Sequence, residues 1–560
     1  MDDVISRIYQ EVPPSQLASM DEDFIMKFLT PAEKKSFATK YQYFHVNVPA
    51  TVWLMRHRDQ KNIPFWLPES GFVLTDQLVN NDEYEYEVWQ KEVAPGQVNL
   101  GINGFDMHRP VYFVCVKAKN PGDSLVVENN FPSEYPLSEM RVGAFTYHDW
   151  SDLVITDLPS EMEGSVLFTT VRGRAREAHI VNAFRKTETP SSETPDQILL
   201  TWSDDPATTI DIQWRKSDTI SQGFVEYWLT NSTDTMTNAA EGEQVEDRML
   251  SNDRYIKRFT SRLTGLTPGM KYQYRIRAGK NSGIRTFSTQ KTLDSGFSFI
   301  WFGDTHRSPQ WGELLQKTHE LHPDIAFYSV AGDLVSTGLF RDEWDKFFDV
   351  SGNVFSYKPL MPIPGNHDRQ DGLGAAMYYS LFSLPKNGPA DVHPESTYSF
   401  IYRNALFLMI DATHPVEEQA AWIEEKLRST DAVWKFAFFH FPPYNYEEPY
   451  PDIQKSWCTL FDKYHVDMVM SGHVHYYMRT KPMNNGQIAR SHADGTVYTI
   501  SIGIGSNHES MAEEPYAEVR YGKGQYYQLM EIENNELKYT AFDDTGAVRD
   551  QLLITKKTTR

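Results

Sequence analysis

The sequence predicts a multidomain protein in which an N-terminal β-rich domain and a β-sandwich precede an α/β domain. Three observations predict this organisation. The 560 residues exceed what one hydrophobic core usually supports. A stretch rich in Pro, Ser and Thr at residues 186–196 is typical of an inter-domain linker. Near residue 296 the pattern changes from short alternating strands to apolar strands that alternate with helices.

Residues 1–185 form the first predicted domain. Apolar and polar residues alternate in segments such as TVWLMRH (51–57) and PVYFVCVKA (110–118), which is typical of strands. The first 45 residues are more helical, and Thr30, Pro31 and Glu33 form the pattern of a helix N-terminus. No set of residues in this domain indicates a chemistry, so we interpret it as structural or partner-facing.

Residues 196–292 are predicted to form a β-sandwich. Short strands such as TIDIQWRK (209–216) and KYQYRIRAG (271–279) recur about every ten residues, with turn residues between them. The segment LTGLTPGMKYQYRIRAG resembles the end of a fibronectin type III domain. Domains of this kind usually position or cover another domain.

Residues 296–560 form the predicted α/β domain. Apolar segments such as FSFIWF (297–302) alternate with predicted helices at 311–321, 341–349, 415–429 and 453–464. This alternation favours a parallel-rich sheet covered on both faces. Ligands of such sheets bind beyond the carboxyl ends of the strands, so the residues at those ends indicate the function.

Five segments of this domain end in side chains that bind metals: FIWFGDTH, SVAGDLV, IPGNHD, AFFHFPPY and MVMSGHVH. A single Asp after a strand is most often a helix N-cap, and a single His is most often a core residue. Five such ends in one domain indicate a common site instead. The candidate metal ligands are Asp304, His306, Asp333, Asn366, His440, His473 and His475.

The ligand types indicate which metals the site takes. Carboxylate, amide oxygen and imidazole suit Zn, Mn or Fe, and the lack of thiolate argues against a structural zinc site. Two metals about 3.5–4 Å apart need a shared anionic ligand, for which a carboxylate is the natural bridge. We therefore expect two metal ions per chain, drawn from Fe, Zn or Mn.

The motifs GDxH, GD, GNHD, a strand-end His and GHxH resemble, in their full set and order, those of the calcineurin-like metallophosphoesterase family. The resemblance implies two packed mixed sheets flanked by helices, and a phosphoric ester hydrolase. Carried over by position, it implies one metal held by Asp304, His306 and His475, another held by Asn366, His440 and His473, and Asp333 as the bridge.

The same resemblance implies residues that act on the substrate. His367 matches the family histidine that assists phosphate binding and leaving-group departure, and Asp368 matches the position that orients it. Asn366 is expected to contact the substrate as well as a metal. Tyr444, in HFPPYN, is expected to line the pocket.

Three further residues near the motifs have two interpretations each. Arg307 and Arg369 suit phosphate oxygens, which planar guanidinium groups clamp well, but pairing with surface carboxylates fits equally. His414, in DATHP, is either a substrate-side residue or a loop histidine without a role.

Within the family, the sandwich and the segment YTAFDDTGAVRDQLLITK (539–556) resemble purple acid phosphatases. One departure matters. Purple acid phosphatases have GDxxY, whose Tyr binds ferric iron and gives the colour, whereas this chain has Ser336 at that position. They also have GDxG where this chain has His306. The exchange implies a colourless site of Asp, Asn and His ligands.

The function implied by the resemblance is hydrolysis of phosphate monoesters by attack of a metal-bound hydroxide. The first alternative is a phosphodiesterase on the same site, with a nucleotide, glycerophosphodiester or sugar-phosphate substrate. The minor alternative is a non-catalytic binding module on this fold. Loss of ligands is usual in such modules, and all seven are present here.

The charge bears on partners and location. With 54 basic against 76 acidic residues, the net charge is −22 and no Lys/Arg run is present, so we expect neither nucleic acid nor anionic membrane as partner.

No apolar run approaches the roughly 18 residues of a membrane span, and no signal-peptide pattern is visible. The expected partner is a small-molecule phosphate ester. The resemblance implies export to the periplasm or the outside. The oligomeric state is not predicted.

Overall fold

The structure is a computed structural model that describes residues 1–108, 110–133, 135–148, 152–171, 178–291, 296–369, 374–447, 450–505 and 513–557. The chain divides into two compact units, Met1–Lys186 and Thr187–Arg560. Among the described residues, no helix combines the length and the apolar character needed to cross a bilayer.

The first unit begins with helices. They are α1 (Asp2–Glu11), α2 (Pro14–Leu17), α3 (Glu22–Phe28), α4 (Pro31–Thr39) and, further on, α5 (Trp66–Glu69). The predicted start of α4 is confirmed, because the Thr30 hydroxyl accepts from the amide of Glu33 while the Glu33 carboxylate accepts from the amide of Thr30. Asp21 caps α3 in the same way through the amide of Phe24.

The rest of the first unit is strands. In chain order they are β1 (Gln42–Val46), β2 (Ala50–His57), β3 (Val73–Asn81), β4 (Glu85–Val93), β5 (Gly96–Leu100), β6 (Phe113–Ala118), β7 (Val127–Phe131), β8 (Leu137–Glu139), β9 (Phe145–His148), β10 (Asp152–Asp157), β11 (Val166–Phe168) and β12 (Thr170–Val171). They form one sheet ordered β5-β1-β7 and a larger one ordered β12-β9-β10-β3-β4-β2-β6-β11-β8. Side chains of Trp53, Tyr86 and Phe113 pack the core of the larger sheet.

The second unit begins with the sandwich strands. They are β13 (Asp196–Thr201), β14 (Ile210–Ser217), β15 (Phe224–Leu229), β16 (Met236–Ala239), β17 (Glu241–Glu246), β18 (Tyr255–Leu263), β19 (Lys271–Ala278), β20 (Lys280–Asn281) and β21 (Arg285–Ser288). One sheet has the order β13-β14-β18-β17, and the other has β16-β15-β19-β20 with β21 also on β19. Trp214 and Phe259, stacked at 5.4 Å between ring centroids, lie in the core.

The α/β part of this unit alternates strands and helices as predicted. Its first half contains β22 (Phe297–Phe302), α6 (Pro309–Leu321), β23 (Tyr328–Val330), α7 (Arg341–Ser351), a 3₁₀ turn (Val354–Ser356), α8 (Asn366–Arg369), α9 (Ala376–Leu381), β24 (Tyr398–Tyr402), β25 (Ala405–Met409) and α10 (Val416–Ser429).

Its second half contains β26 (Trp434–Phe438), α11 (Pro451–Ile453), a π-helical turn (Gln454–Cys458), α12 (Thr459–Tyr464), β27 (Met468–Ser471), β28 (Tyr477–Thr480), β29 (Met483–Asn484), β30 (Gln487–Ile488), β31 (Val497–Ile500), β32 (Ala517–Tyr521), β33 (Tyr526–Glu533), β34 (Glu536–Asp543) and β35 (Val548–Thr555).

Two mixed sheets pack face to face in this part, as the family resemblance implies. One has the order β23-β22-β33-β34-β35 and the other β24-β25-β26-β27-β31-β28-β32. Phe299 of β22 lies between them, with its ring centroid 5.2 Å from that of Phe407 and 6.0 Å from that of Phe436 in the second sheet. Both sheets therefore share one apolar core.

The sandwich and the α/β part form one compact unit. Trp202, 1% exposed, follows β13 and contacts Phe327 and Tyr402 of the α/β part, with ring centroids 5.7 and 5.4 Å away. The hydroxyl of Thr201 donates to the carbonyl of Ser383 at 2.6 Å. This shared packing fixes the sandwich against the domain that carries the candidate ligands.

Candidate metal centre

The candidate ligands follow parallel strands in both sheets. Asp304 and Asp333 come after β22 and β23, which pair in parallel. His440 and His473 come after β26 and β27, which also pair in parallel. The two edges meet, because the backbone amide of His473 donates to Oδ1 of Asp304 at 2.8 Å. The topology thus gathers ligands from both sheets at one place.

Asp304, His306 and His475 form a first group. Nε2 of His475 lies 3.3 Å from Oδ2 of Asp304, and Nε2 of His306 lies 3.8 Å from it. One ligand atom from each residue lies within 4.8 Å of the others. Asp304 is fully buried, while both imidazoles are partly exposed. In this group the carboxylate therefore lies buried, and the two imidazole rings lie closer to solvent.

Asp333, His440 and His473 form a second group of the same size. Nε2 of His440 lies 3.2 Å from Oδ2 of Asp333. Oδ1 of Asn366 lies 3.1 Å from both Nε2 of His440 and Nδ1 of His473. The structure thus places all seven predicted ligands in two groups, with the division that the family resemblance implies and with Asp333 in the second.

The backbone at these positions is unusual. His306, Asp333 and His473 have φ values of 43°, 52° and 73°, in the left-handed region that non-glycine residues rarely adopt. The neighbouring glycines leave room for the carboxylates. A Cβ at Gly472 would lie 2.2 Å from Oδ1 of Asp304, and one at Gly365 would lie 2.1 Å from Oδ1 of Asp333. Strained backbone gathered in this way is typical of functional sites.

Hydrogen bonds orient the ligands. Nδ1 of His440 donates to the carbonyl of Ala331 at 2.7 Å, which directs Nε2 at Asp333 and Asn366. A carbonyl on the far nitrogen is the usual partner of a metal-binding histidine. The amide of His306 donates to the carbonyl of Asp333 at 3.0 Å, which ties the two groups together.

The two buried carboxylates of the candidate centre stabilise positive charge near them. Burial alone would raise the pKa values of Asp304 and Asp333, but nearby imidazoles, His440 foremost, outweigh it and hold both values below the ordinary range. Burial lowers the pKa of His306, opposed by the same carboxylates. At His440 the carboxylates outweigh burial and raise the pKa to about 10. Metal cations would take the place of these protons, since ligation requires deprotonated imidazole.

The residues present therefore fit a pair of metal ions. In each group the oxygen and imidazole donor atoms of the Asp and His residues lie within 4.8 Å of one another. The two buried carboxylates, Asp304 and Asp333, supply the negative charge that two cations need. One metal would be held by Asp304, His306 and His475. The other would be held by Asn366, His440 and His473, with Asp333 between them.

His367 and Asp368 lie beside these groups, and one prediction about them is corrected. Nδ1 of His367 donates to the backbone carbonyl of Ser336 at 2.8 Å. Asp368 does not orient that ring. Its carboxylate accepts from the backbone amides of Leu334, Val335 and Gly365 at 3.2, 3.1 and 2.9 Å, which holds the loop in place. A fully buried carboxylate serves the nearest amides, and here those belong to the backbone.

The two arginines are engaged by protein groups. Nε of Arg307 lies 3.1 Å from Oε2 of Glu343 in an ion pair. Nη1 of Arg369 donates to the carbonyl of Thr413 at 2.8 Å. Of the two interpretations offered for Arg307, the structure favours pairing with a carboxylate. For Arg369 it shows a carbonyl partner, which neither interpretation included.

Tyr444 and His414 both contact other side chains of the protein. Tyr444 is 8% exposed and packs its ring on Tyr498 and Tyr516, with centroids 4.7 and 5.6 Å away, so the prediction that it lines the pocket is corrected. Its aromatic ring gains more from burial among other rings than from solvent. Nε2 of His414 lies 3.7 Å from Oδ2 of Asp411, which indicates a local pair.

Sequence reasoning missed an aromatic wall beside the second group. The rings of Phe441 and Tyr450 stack at 5.2 Å with 9° between their planes. The ring of His473 meets that of Phe441 edge-on at 4.8 Å. Phe441 directly follows the candidate ligand His440 in HFPPY, and this adjacency is the sequence feature that could have predicted its place beside the site. Tyr450 has no such feature.

We expect the iron-loaded protein to be colourless. The seven candidate ligands are Asp, Asn and His, and Ser336 occupies the position of the purple enzymes' tyrosine. Without a phenolate ligand there is no tyrosinate-to-iron charge transfer in the visible. A visible absorption spectrum of protein with metal content measured on the same sample checks this. A strong visible band that persists after removal of free iron would contradict it.

Comparison with known proteins agrees with this geometry. Residues 297–477 match the family described as calcineurin-like phosphoesterase, and residues 195–291 match the purple acid phosphatase N-terminal domain. An uncharacterized protein of Mycobacterium tuberculosis is 23% identical over 50% of this chain and 60% of its own length. Purple acid phosphatase 18 of Arabidopsis thaliana is 24% identical over 58% of this chain and 74% of its own.

A solved structure shares the fold. A purple acid phosphatase from yellow lupin (Lupinus luteus) seeds aligns with a TM-score of 0.59 at 16% identity, over 93% of this chain and 92% of its own. This chain spans only 60% of the mycobacterial relative. The family matches show that the chain carries a calcineurin-like phosphoesterase domain preceded by a purple acid phosphatase N-terminal domain, and the solved structure shows that the fold is shared.

Proposed function

We propose that the chain is a dinuclear metal-dependent phosphoric ester hydrolase acting on phosphate monoesters. The observation that carries the proposal is the pair of ligand groups at the joined edges of the two sheets, with all seven donors present. When bound by these residues, two cations would polarise phosphoryl oxygens and lower the pKa of a coordinated water towards neutrality. Relatives named purple acid phosphatases support the choice of monoesters as substrates.

We infer that His367 assists the leaving group. Its ring lies edge-on to that of His306, with centroids 5.2 Å apart, and so borders the first ligand group. Because Nδ1 donates to the carbonyl of Ser336, Nε2 is the nitrogen that can face a substrate. When protonated, Nε2 would donate to the oxygen of the departing alcohol. Asn366 serves as ligand, since its Oδ1 lies among the imidazoles of His440 and His473.

The test is a substrate panel with controlled metals. Metal-free protein is loaded with Mn, Zn or Fe and assayed with p-nitrophenyl phosphate and bis-p-nitrophenyl phosphate. We expect the monoester to be hydrolysed faster, and a chelator to abolish turnover until metal is restored. Faster hydrolysis of the diester would favour the phosphodiesterase alternative. Two bound ions without turnover of either substrate would favour a binding module.

His367→Ala is expected to lower kcat for p-nitrophenyl phosphate by at least about 10²-fold, the contribution of a positioned general acid. The metal content should stay at about two ions per chain, because His367 is not among the proposed ligands. Turnover assays and metal analysis on one preparation check both statements. His492→Ala, a histidine outside both ligand groups, is the control. Loss of metal from His367→Ala would show that this histidine is itself a ligand.

We also propose that the protein is exported, as the layout of sandwich plus phosphoesterase domain supports. Fractionation of the producing cells tests this, and recovery confined to the cytoplasmic fraction would contradict it.

A further inference from the structure

The loop of residues 334–338 interlocks with the segment that carries His367. The carbonyl of Ser336 accepts a hydrogen bond from Nδ1 of His367. The amide of Gly338 donates to the backbone carbonyl of His367 at 2.8 Å. The approach is so close that a Cβ at Gly338 would lie 1.8 Å from the carbonyl oxygen of Asp368. The position of this loop therefore sets the position of the His367 ring.

Helix α7 holds the same loop from its other side. Oε2 of Glu343, in the first turn of α7, accepts from the amides of Ser336 and Thr337 at 2.8 and 2.9 Å. Nε1 of the neighbouring Trp344, which is fully buried, donates to the carbonyl of Gly338 at 2.8 Å. The carboxylate of Glu343 is itself largely buried, with 13% of its side chain exposed.

A carboxylate is the group best suited to this position. Two consecutive amides converge on one oxygen, and charged acceptors make stronger hydrogen bonds to amides than neutral ones. The start of α7 adds a favourable helix dipole for a negative charge. Arg307 pairs with the same carboxylate, through Nε at 3.1 Å and Nη2 at 3.2 Å, so the charge is balanced.

We propose that Glu343 is a positioning residue for the hydrolysis reaction. It fixes the amides of Ser336 and Thr337 so that the carbonyl of Ser336 holds the His367 ring with Nε2 towards the substrate. The proposal rests on the proposed function and on the role of His367 in it. Glu343 acts through the loop and has no contact with substrate or metal in this assignment.

The experiment is a double-mutant cycle with two leaving groups. Wild type, Glu343→Ala, His367→Ala and the double variant are loaded with zinc and assayed with p-nitrophenyl phosphate, a good leaving group, and glycerol 2-phosphate, a poor one. We expect Glu343→Ala to lower kcat by about tenfold for the first and about a hundredfold for the second, the range typical of residues that orient a reacting group. In the His367→Ala background the same change should alter kcat by less than about twofold.

Matched variants separate positioning from folding. Asp349→Ala removes an exposed carboxylate from the same helix, one that pairs with Lys346 at the surface, and should leave kcat unchanged. Glu343→Gln keeps an acceptor oxygen for the two amides and should restore kcat to within about threefold of wild type. If Glu343→Ala does not fold, Glu343→Gln replaces it in the double-mutant cycle. The difference in kcat loss between the two substrates is then expected to be smaller, because Glu343→Gln lowers kcat less.

A second measurement does not depend on turnover. Histidine ¹⁵N NMR of the zinc-loaded protein is recorded at a pH where the His367 ring is neutral, with its signals assigned by their loss in His367→Ala. It should show the Nδ1–H tautomer in wild type and a mixture of tautomers in Glu343→Ala. Equal losses of kcat in both backgrounds, equal losses for both substrates, or an unchanged tautomer would each overturn the positioning role. A wild-type protein that hydrolyses neither substrate would overturn the proposed function, whereas an active wild type with an additive cycle overturns only the role of Glu343.

Discussion

Replacing Asp333 by Asn is expected to lower kcat/KM by on the order of 10⁴-fold, a loss of about 5 kcal/mol, because in the proposed centre this carboxylate would bridge the two metals. Oδ2 of Asp333 lies 3.2 Å from Nε2 of His440, and Oδ1 accepts from the amide of His367 at 2.9 Å. The amide side chain would remove a negative charge from the proposed metal centre and would place an NH₂ group where a ligand oxygen is needed. We therefore also expect metal content to fall from about two ions per chain to one or none.

The measurement pairs steady-state kinetics with metal analysis of each dialysed preparation. Asp431→Asn, an exposed acid ahead of β26, makes the same chemical change outside the centre and should match wild type in both respects. Raising the metal concentration in the assay should recover part of the activity of Asp333→Asn if weak metal binding is the main cause. An Asp333→Asn protein with full metal content and full turnover would remove Asp333 from the centre.

The ligand set was predictable from the sequence because its members are side chains at strand ends. A parallel sheet brings the ends of its strands to one edge, so the pattern of apolar runs is enough to place Asp304 and Asp333 together. The same holds for His440 and His473 in the second sheet. That pattern also predicted helices α6, α7 and α10 to within a few residues.

The partner of His367 was not predictable, because it is a backbone carbonyl. Ser336 was singled out for the hydroxyl that replaces a tyrosine, yet its contribution is a main-chain oxygen that any residue would offer. The adjacent acid, Asp368, looked like the natural partner but is drawn instead to three amides of the loop. Side-chain identity carries no information on which backbone groups a fold leaves facing a site.

Tyr444 illustrates a second limit of the sequence. Its position close behind His440 suggested a pocket residue, but a turn between them directs its ring into a cluster with Tyr498 and Tyr516. Proximity in sequence to a ligand says little about direction once the chain leaves the strand. The left-handed backbone at His306 and His473 shows the same limit, since nothing in those residue types requires it.

The joining of sandwich and α/β part was missed for a related reason. From the sequence alone, Asp345 is indistinguishable from the exposed acids of a surface helix. In the structure only 2% of it is exposed, and it packs against the sandwich. Its Oδ1 accepts from Nη1 of Arg215 and from Nε2 of Gln197, both at 2.7 Å. Nε of Arg341 lies 3.7 Å from its other oxygen. Arg215 and Gln197 lie more than 100 positions from Asp345 in the chain, and no local pattern reports such contacts.

Asp345→Ala is expected to destabilise the second unit by about 3–5 kcal/mol, the usual effect of removing one partner from a buried ion pair. Arg215 and Arg341, each 1% exposed, would keep Asp196 and Asp253 as partners but would lose the carboxylate that lies between them. For a unit of this size the loss corresponds to about 4–6 °C in Tm. Thermal unfolding of the metal-free protein measures it without a contribution from bound cations.

The comparison that decides the origin of this effect lies on the same helix. Asp349→Ala removes an acid of α7 whose side chain is 45% exposed, so both variants lose one carboxylate and one unit of charge from one helix. Because an exposed pair contributes little, Asp349→Ala should change stability by no more than about 0.5 kcal/mol. Equal shifts in Tm for the two variants would mean that the buried network adds nothing beyond the charge of the helix. A shift confined to Asp345→Ala shows that a buried charge joins the sandwich to the domain whose loop positions His367.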